Sequence, residues 1–600
     1  MDSDEAITQL MANACSWNPF SLYYWGQDRL GGWPFGIEWL LHKAFGFGWS
    51  YRGLYDALAI CLLTTVWPLR KLGGWWGWTA ASALLGLLTL HEASRHWVLS
   101  ISQPYAWQMS LFFWAWWLIR RLANADQLEF VSLFRVRAGR WWRFVFPAAF
   151  ASLLSIWSSP LSAPFLWVVA LAETSRVPVE RRTGRLWLRL CGVVLIAVVA
   201  ELAIRFFDQW FAGTHHWRIY WTDVRWDRGH IAENAKVYWD RLRGDPLWPV
   251  AAASLPAIGG WFLTRRRPVP AAAQDCIRFA AVCSATGWAN ALVLVFSSWG
   301  RINDYTVRYF SPSWILWTVS CVASLAALIE ALPDSSQPLV RRVFRFAGAL
   351  AIAAAALWVT PPERTAIALE RTRLSSELPL LQPDGVLLGC YWGTYSLVDG
   401  GAPHALTPVV QHRDTQRTPW TAERLRGVSQ AILVQDQCPP LGTPDNPTPF
   451  VLEQGVVLAL RTPHWLREGS INLSLYDNRS AWLVKDAVSR RGVQEKLDTP
   501  LSLAAPASSK GEEAFSVRVT RSGSQLLLFF GSRVSLYLHT PELRAEAVAE
   551  NGSTRLLAVT SGEHFVSVSL VGVTPPVLIR LINAADPERD SRLEGVAIAP

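Results

Sequence analysis

Ten apolar stretches, each long enough or nearly long enough to cross a bilayer, fill the first 360 residues of this 600-residue chain. They run at about 52 to 69, 74 to 91, 104 to 119, 143 to 158, 160 to 173, 187 to 204, 246 to 264, 276 to 298, 312 to 332 and 343 to 360. In hydrocarbon a segment must satisfy its own backbone, which favours helices of about 20 apolar residues. Their succession predicts a polytopic α-helical membrane protein with about ten transmembrane helices. Composition agrees: 51% hydrophobic and 17% charged residues are too apolar for an ordinary soluble enzyme. Tryptophan outnumbers methionine 35 to 3, and pairs such as Trp75 and Trp76 or Trp116 and Trp117 fall near segment ends. An amphipathic ring suits the headgroup level, so most of them read as an aromatic belt.

The net charge of +9 does not mark a nucleic-acid partner, because the arginines sit in short loops between apolar stretches and not on one basic stripe. Loops such as "IRRLAN", "TSRVPVERRTGR", "TRRRPVP" and "VRRVFR" are rich in cations, while "HEASRHW", "SSPLS" and "GRINDYTVRYFSP" are poor. The positive-inside rule then puts the rich set in the cytoplasm. Residues 1–51, the loop at 205–245 and everything beyond about residue 360 are expected outside. The 205–245 loop is too polar for a span and reads as amphipathic surface helices, with Trp210, Trp217, Trp221, Trp226 and Trp239 as anchors.

Beyond residue 360 the pattern becomes that of a soluble region. Residues 361–468 alternate strand-like runs ("GVLLGC", "QAILVQD", "GVVLALR") with helix-compatible stretches, which predicts a small α/β unit. Residues 469–600 carry period-two runs between turn signals ("FSVRVT", "QLLLFF", "FVSVSLVGV"), which predicts a β-sandwich. Of the 8 cysteines, only Cys390 and Cys438 lie in this polar part, where one disulfide has room to form. Paired C-x-x-C metal spacing is absent, as is a nucleotide-cradling glycine loop.

The chemistry-bearing residues gather at the start. Asp2 and Glu5 have capping-box spacing, and Ile7, Leu10, Met11 and Ala14 follow at helical spacing, so a short amphipathic helix begins near Asp2. Acids at a helix N-terminus are favoured by its dipole with or without catalysis. Placed outside the membrane beside the aromatic, glycine-rich "LYYWGQDRLGGWP" with its own Asp28, they also suit a cavity where a hydroxyl is deprotonated. "HEASRH" offers His91, Glu92 and His96, but the histidines are five apart and would diverge, unlike the i, i+4 pair of zinc hydrolases. The sequons at Asn472, Asn478 and Asn551 are expected to be coincidental.

"DSDEAITQLMA" followed by "LYYWGQDRLGGWP" resembles the first extracytoplasmic loop of bacterial GT-C membrane glycosyltransferases, relatives of the protein O-mannosyltransferases and of lipid A aminoarabinose transferase. Asp4 and Glu5 match the Asp-Glu pair that opens their juxtamembrane helix. Tyr24, Gly26, Gln27, Gly31 and Gly32 match the loop that follows. "NDYTVRYFSP" resembles the stretch these proteins place before a late transmembrane helix, matching Arg308, Tyr309 and Pro312, and "GCYWGTYSLV" is a weaker match in the outer domain.

The resemblance implies inverting sugar transfer from a polyprenyl-phosphate donor to an envelope glycan, lipid or protein, at the outer face of a bacterial inner membrane. Asp4 would be the base and Glu5 its neighbour. Tyr24, Gln27 and Asp28 would line the substrate site. The lipid phosphate would fall to Arg308 first, then to Arg301 or Arg95, since a guanidinium matches phosphate oxygens with paired donors. No cofactor is specified, and room is left for a divalent metal. The resembled proteins carry a transmembrane helix ahead of the acidic loop, whereas here the loop stands at the first residue. That departure keeps an alternative open: a non-catalytic glycan-binding scaffold or degenerate homologue.

Overall fold

The computed structural model describes residues 61–91, 103–131, 142–177, 184–214, 226–264, 269–302, 305–333 and 335–358, with positions 11, 22–23, 31–37 and 98. Towards the C-terminus it describes 374, 377–378, 385–397, 407–410, 421–435, 442–443, 446–469, 471–484, 488–490, 493–495, 501–502, 513–532, 543–562, 565–583 and 591–600. The chain divides into two compact units, one of Ile7–Glu363 and the other of Arg364–Pro600 together with Met1–Ala6.

The first unit is helical. Its helices are α1 (Val66–Gly73), α2 (Gly77–Leu90), α3 (Tyr105–Val131), α4 (Trp142–Ser158), α5 (Ser162–Arg176), α6 (Gly184–Thr214), α7 (Ile231–Gly244), α8 (Trp248–Ser254), α9 (Pro256–Thr264), α10 (Ala271–Phe296), α11 (Ser311–Glu330) and α12 (Gln337–Trp358). Side-chain pairs fix which ends lie together. Ser155 of α4 donates to the Gln108 carbonyl of α3 at 3.0 Å, and Asn290 of α10 donates to the Tyr309 carbonyl ahead of α11 at 3.0 Å. We call this the upper end. At the lower end Arg120 of α3 meets Glu173 of α5 at 2.8 Å, and Arg176 meets Asp275 of α10 at 2.9 Å.

Three of these segments are long and apolar enough to cross a membrane: Leu186–Phe211, Ala271–Phe296 and Val307–Glu330. A fourth is added if the bent pair Arg228–Gly244 and Trp248–Thr264 counts as one span. The remaining apolar stretches fall short for physical reasons. α5 has 15 residues, and α4 has 17 with Pro147 inside it. α3 carries Arg120 and Arg121, and α12 carries Arg341, Arg342 and Arg345. The 205–245 loop also differs from expectation, because α6 continues through its first part to Thr214. α7 does form, and Trp210, Trp226 and Trp239 are exposed; Trp217 and Trp221 lie outside the described residues.

The second unit is sheet-rich. β1 (Val386–Gly389), β2 (Thr407–Val410), β3 (Gln430–Gln435), β4 (Phe450–Glu453), β5 (Val456–Glu468) and β6 (Ile471–Asn478) form one sheet in the order β2-β1-β3-β6-β5-β4. β1 runs parallel to β2 and β3, with α13 (Tyr391–Leu397) and α14 (Thr421–Gly427) as the crossovers, while β3 to β6, β6 to β5 and β5 to β4 are antiparallel. The C-terminal part packs a six-stranded sheet against a five-stranded one around Phe515, Val517, Leu528, Ile579, Leu581 and Val596. Alternation along "FSVRV" and "VLIRLI" puts every second side chain into that core. Two of the sequons serve the fold: Asn472 is fully buried against Gln435 at 2.8 Å, and Asn478 donates to the Val428 carbonyl at 2.9 Å. Cys390, directly after β1, is disulfide-bonded.

Candidate functional site

Asp4, Glu5, Tyr24, Gln27, Asp28 and Arg95 lie outside the described residues. What is described is the ground beside them. Residues 22–23 and 31–37 pack onto the upper ends of α3, α4 and α6. The Gly31 N–H donates to the Trp157 carbonyl at 2.7 Å, and the Gly32 N–H to the Leu22 carbonyl at 2.7 Å. Trp157 Nε1 returns a bond to the Leu22 carbonyl at 2.9 Å, and Trp33 Nε1 reaches Ser158 Oγ at 2.9 Å. A Cβ on Gly31 would sit 2.7 Å from the Trp157 carbonyl oxygen, so only glycine lets the two backbones approach this closely. Trp33 also meets Trp107 of α3 edge-on at 5.3 Å.

Tyr23 carries this contact into the bundle. Its ring is buried, and its hydroxyl donates to Glu201 Oε1 of α6 at 3.0 Å. Arg205, one turn further along α6, donates to the same oxygen at 2.9 Å and lies over the Tyr23 ring at 5.9 Å. Burial, reinforced by the Glu201 charge, pushes the Tyr23 phenol well up, which keeps it a hydrogen-bond donor. An acid in the apolar run of α6 is thus paired on both sides.

The second cluster lies where α10 ends and α11 begins. Arg301 holds Asp227 at 3.3 Å, and His230 Nδ1 lies 2.7 Å from the other oxygen of that carboxylate. The His230 hydrogen bond, aided by Arg301, holds the Asp227 carboxyl below the usual carboxylate range. The half-exposed imidazole and guanidinium therefore flank a buried, ionised carboxylate. Asn234, fully buried on α7, braces the cluster: its Nδ2 donates to the Val295 carbonyl at 3.1 Å, and its Oδ1 accepts from the Tyr305 hydroxyl at 2.8 Å. Tyr305 takes φ +50, which turns the chain back towards α7, and its N–H donates to the Gly300 carbonyl at 2.7 Å.

Arg308 and Tyr309 stand in the helical turn Val307–Phe310 just ahead of α11. Arg308 Nη2 donates to the Tyr309 hydroxyl at 2.8 Å, and the guanidinium lies 5.0 Å from the centre of that ring. Trp299 meets the Tyr309 ring edge-on at 5.3 Å. The structure therefore brings Arg301, Arg308 and Tyr309 to one stretch of the upper end. Arg301, however, is engaged with a carboxylate that sequence reading did not single out. His91 is likewise committed: its Nε2 lies 3.2 Å from Asp245 and its ring meets Trp314 edge-on, so it holds α2 to the end of α7. Among the described residues no three His, Cys, Asp or Glu side chains gather to hold a metal ion.

Sequence reading gave no site role to Tyr23, Arg205, Asp227, His230, Asn234 and Tyr305, and it placed Glu201 only as an acid near a span end. Two faint signals were present: Glu201 and Arg205 are spaced i, i+4 inside an apolar helix, and Asp227 and His230 i, i+3 at a helix start.

The chain is similar to ArnT from Cupriavidus metallidurans bound to undecaprenyl phosphate, at 14% identity over 79% of this chain and 93% of that one, with a TM-score of 0.44. It is also similar to the archaeal oligosaccharyltransferase AglB from Archaeoglobus fulgidus in complex with an inhibitory peptide and a dolichol-phosphate. There the identity is 11% over 72% of this chain, the TM-score is 0.37, and the match spans 65% of the archaeal protein's length. No protein-family model matches the chain, and no curated protein does. Neither structural likeness reaches a TM-score of 0.5.

Proposed function

We propose that the chain is an integral membrane glycosyltransferase of the GT-C type. It transfers a sugar, with inversion, from a polyprenyl-phosphate-linked donor to an envelope glycan, lipid or protein on the extracytoplasmic face of a bacterial inner membrane. The observation that supports this reading is the docking of residues 22–23 and 31–37 onto the upper helix ends through Gly31, Trp33 and Tyr23. It brings the segment following the acidic start to the end of the bundle where Arg308 and Tyr309 stand.

In this reading Asp4 accepts the proton of the acceptor hydroxyl, and the oxygen attacks the anomeric carbon. The bond to the phosphate oxygen breaks, with its electron pair leaving on the phosphate. A phosphate departs without a strong acid, so one carboxylate base suffices. Glu5 positions the acceptor or tunes the base, and Tyr24, Gln27 and Asp28 line the site. Arg308 holds the departing phosphate, with Arg301 and Arg95 as the next choices.

The full architecture belongs to the proposal: about ten spans within 52–360, an outer α/β unit at 361–468 and an outer β-sandwich at 469–600. Lower-end cations such as Arg70, Lys71, Arg121 and Arg345 support a cytoplasmic lower end. The disulfide at Cys390 supports an oxidising compartment for the C-terminal region.

Asp4→Asn is expected to cut transfer from a polyprenyl-phosphate sugar by about 10²–10⁴-fold, with expression and membrane insertion unchanged. Transfer retained in that variant would remove Asp4 as the base. Glycan binding without any transfer by the wild type would favour the scaffold reading.

A further inference from the structure

At the lower end of the bundle, opposite the candidate site, three arginines from three helices converge on two carboxylates. Arg120 gives Nε and Nη2 to Glu173 Oε1 at 2.9 and 2.8 Å, and Nη1 to the Leu72 carbonyl at 2.9 Å. Glu173, only 3% exposed, accepts from Trp116 Nε1 at 2.7 Å as well. Arg176 grips both oxygens of Asp275, at 3.3 and 2.9 Å. Arg278 fares differently. Its Nη1 reaches Asp275 Oδ1 only at 3.4 Å, and its buried Nε meets no acceptor among the described residues.

Among the described side chains, three guanidiniums against two carboxylates leave one positive charge in this cluster, and Arg278 holds the least satisfied fork. Its side chain is 16% exposed, so water offsets little of that charge. A buried, unbalanced cation is costly and calls for a counter-charge with matching acceptors. The level of the cluster says what is at hand to supply one. Around the same helix ends Lys71 lies over Trp67 at 4.7 Å, Arg121 over Trp117 at 5.4 Å and Arg70 over Trp78 at 5.5 Å. Cation-and-indole pairs of this kind mark the headgroup layer of a bilayer. There the abundant anion is a phosphodiester, whose two oxygens fit the guanidinium fork, and basic pockets between transmembrane helices take such headgroups.

We propose that Arg278, with Arg176 beside it on the shared Asp275, binds the phosphodiester headgroup of an anionic phospholipid between the lower ends of α5 and α10. The site rests on the membrane reading of the bundle and is independent of sugar transfer.

The test uses the full chain purified in detergent. Native mass spectrometry follows retained lipid, and thermal unfolding follows the addition of phosphatidylglycerol, phosphatidylethanolamine or inorganic phosphate. Phosphatidylglycerol is expected to be retained and to raise the unfolding temperature, while phosphatidylethanolamine and phosphate do neither. Arg278→Gln is expected to weaken phosphatidylglycerol retention about tenfold, the equivalent of one charge-assisted hydrogen bond. Arg278→Lys, which keeps the charge and loses the fork, is expected to fall between the two. Equal unfolding temperatures for all three in phosphatidylethanolamine alone establish that the variants are folded. Equal phosphatidylglycerol retention by wild type and Arg278→Gln overturns the proposal. A shift with phosphate as large as that with phosphatidylglycerol also overturns it, because it marks a free-anion site.

Discussion

Asp227 decides whether the loop ahead of α11 stays folded against α7, because His230 and Arg301 both close on its carboxylate. Its proton affinity is lowered in the fold, so the unfolded chain binds the proton more readily and acid favours unfolding. The stabilisation is present in full above the ordinary Asp value of about 3.9, and it is lost as pH falls through the lower value the group has in the fold. Asp227→Asn removes that dependence. In a pH series of thermal unfolding in detergent, the acid limb of the variant is expected to be flatter than that of the wild type; two superimposed acid limbs would exclude Asp227 as the group responsible. Tyr23 makes a second case. Tyr23→Phe deletes one hydrogen bond to a buried carboxylate that keeps Arg205, so a loss of about 1.5–3 kcal/mol is expected. Chemical denaturation of the purified protein measures it, and no change in stability would mean that Arg205 alone satisfies Glu201.

At the scale of elements, Gly31 governs the docking of residues 31–37. Gly31→Ala puts a methyl group 2.7 Å from the Trp157 carbonyl, a backbone atom that cannot swing aside. Overpacking of this kind costs about 1–3 kcal/mol and here falls between the buried Gly31 and the partly buried Trp157, so loosening of residues 31–37 from α4 is the expected response. Faster proteolysis within residues 31–37 with an unchanged unfolding temperature for the bundle is the expected result; unchanged proteolysis would mean that α4 gives way instead. The elements also show what a sequence can reveal. Apolar runs pointed to a helical first part and period-two alternation to a sheet-rich C-terminal part, since burial of a face is written in local pattern. The extension of α6 to Thr214 was hidden, because "RFFDQWFAGT" mixes charge with apolar residues and its continuation depends on neighbours. Likewise Arg308 could be placed at the mouth of α11 by motif, and Arg301 by the loop it shares with that motif. The carboxylate that occupies Arg301 comes from 74 positions away, a distance no local pattern spans.

At the scale of the molecule, charge is sorted between the two ends of the bundle. The upper end sets Glu201, Asp227, Glu233, Asp240 and Asp245 among its arginines, while at the lower end Glu173, Asp275 and Glu330 are all bound to arginines and further cations face outward. Paired arginines also explain how helices too short or too charged to qualify by apolarity still belong to the bundle: the ion pair replaces water as the partner of the buried charge. If the lower end faces the cytoplasm, every crossing follows, and the chain after α12 emerges outside. The bonded state of Cys390 points the same way, because reducing compartments keep thiols free. Two reporters fused after Pro600 separate the possibilities. Alkaline phosphatase, which needs disulfides to fold, is expected to be active there, and a fluorescent protein that matures only in the cytoplasm is expected to stay dark. Alkylation of intact cells without reductant should leave Cys390 unmodified and should label it once a reductant is added. A fluorescent, phosphatase-negative fusion would invert the topology and place residues 22–37, Arg301 and Arg308 on the cytoplasmic side, away from any donor presented at the outer face.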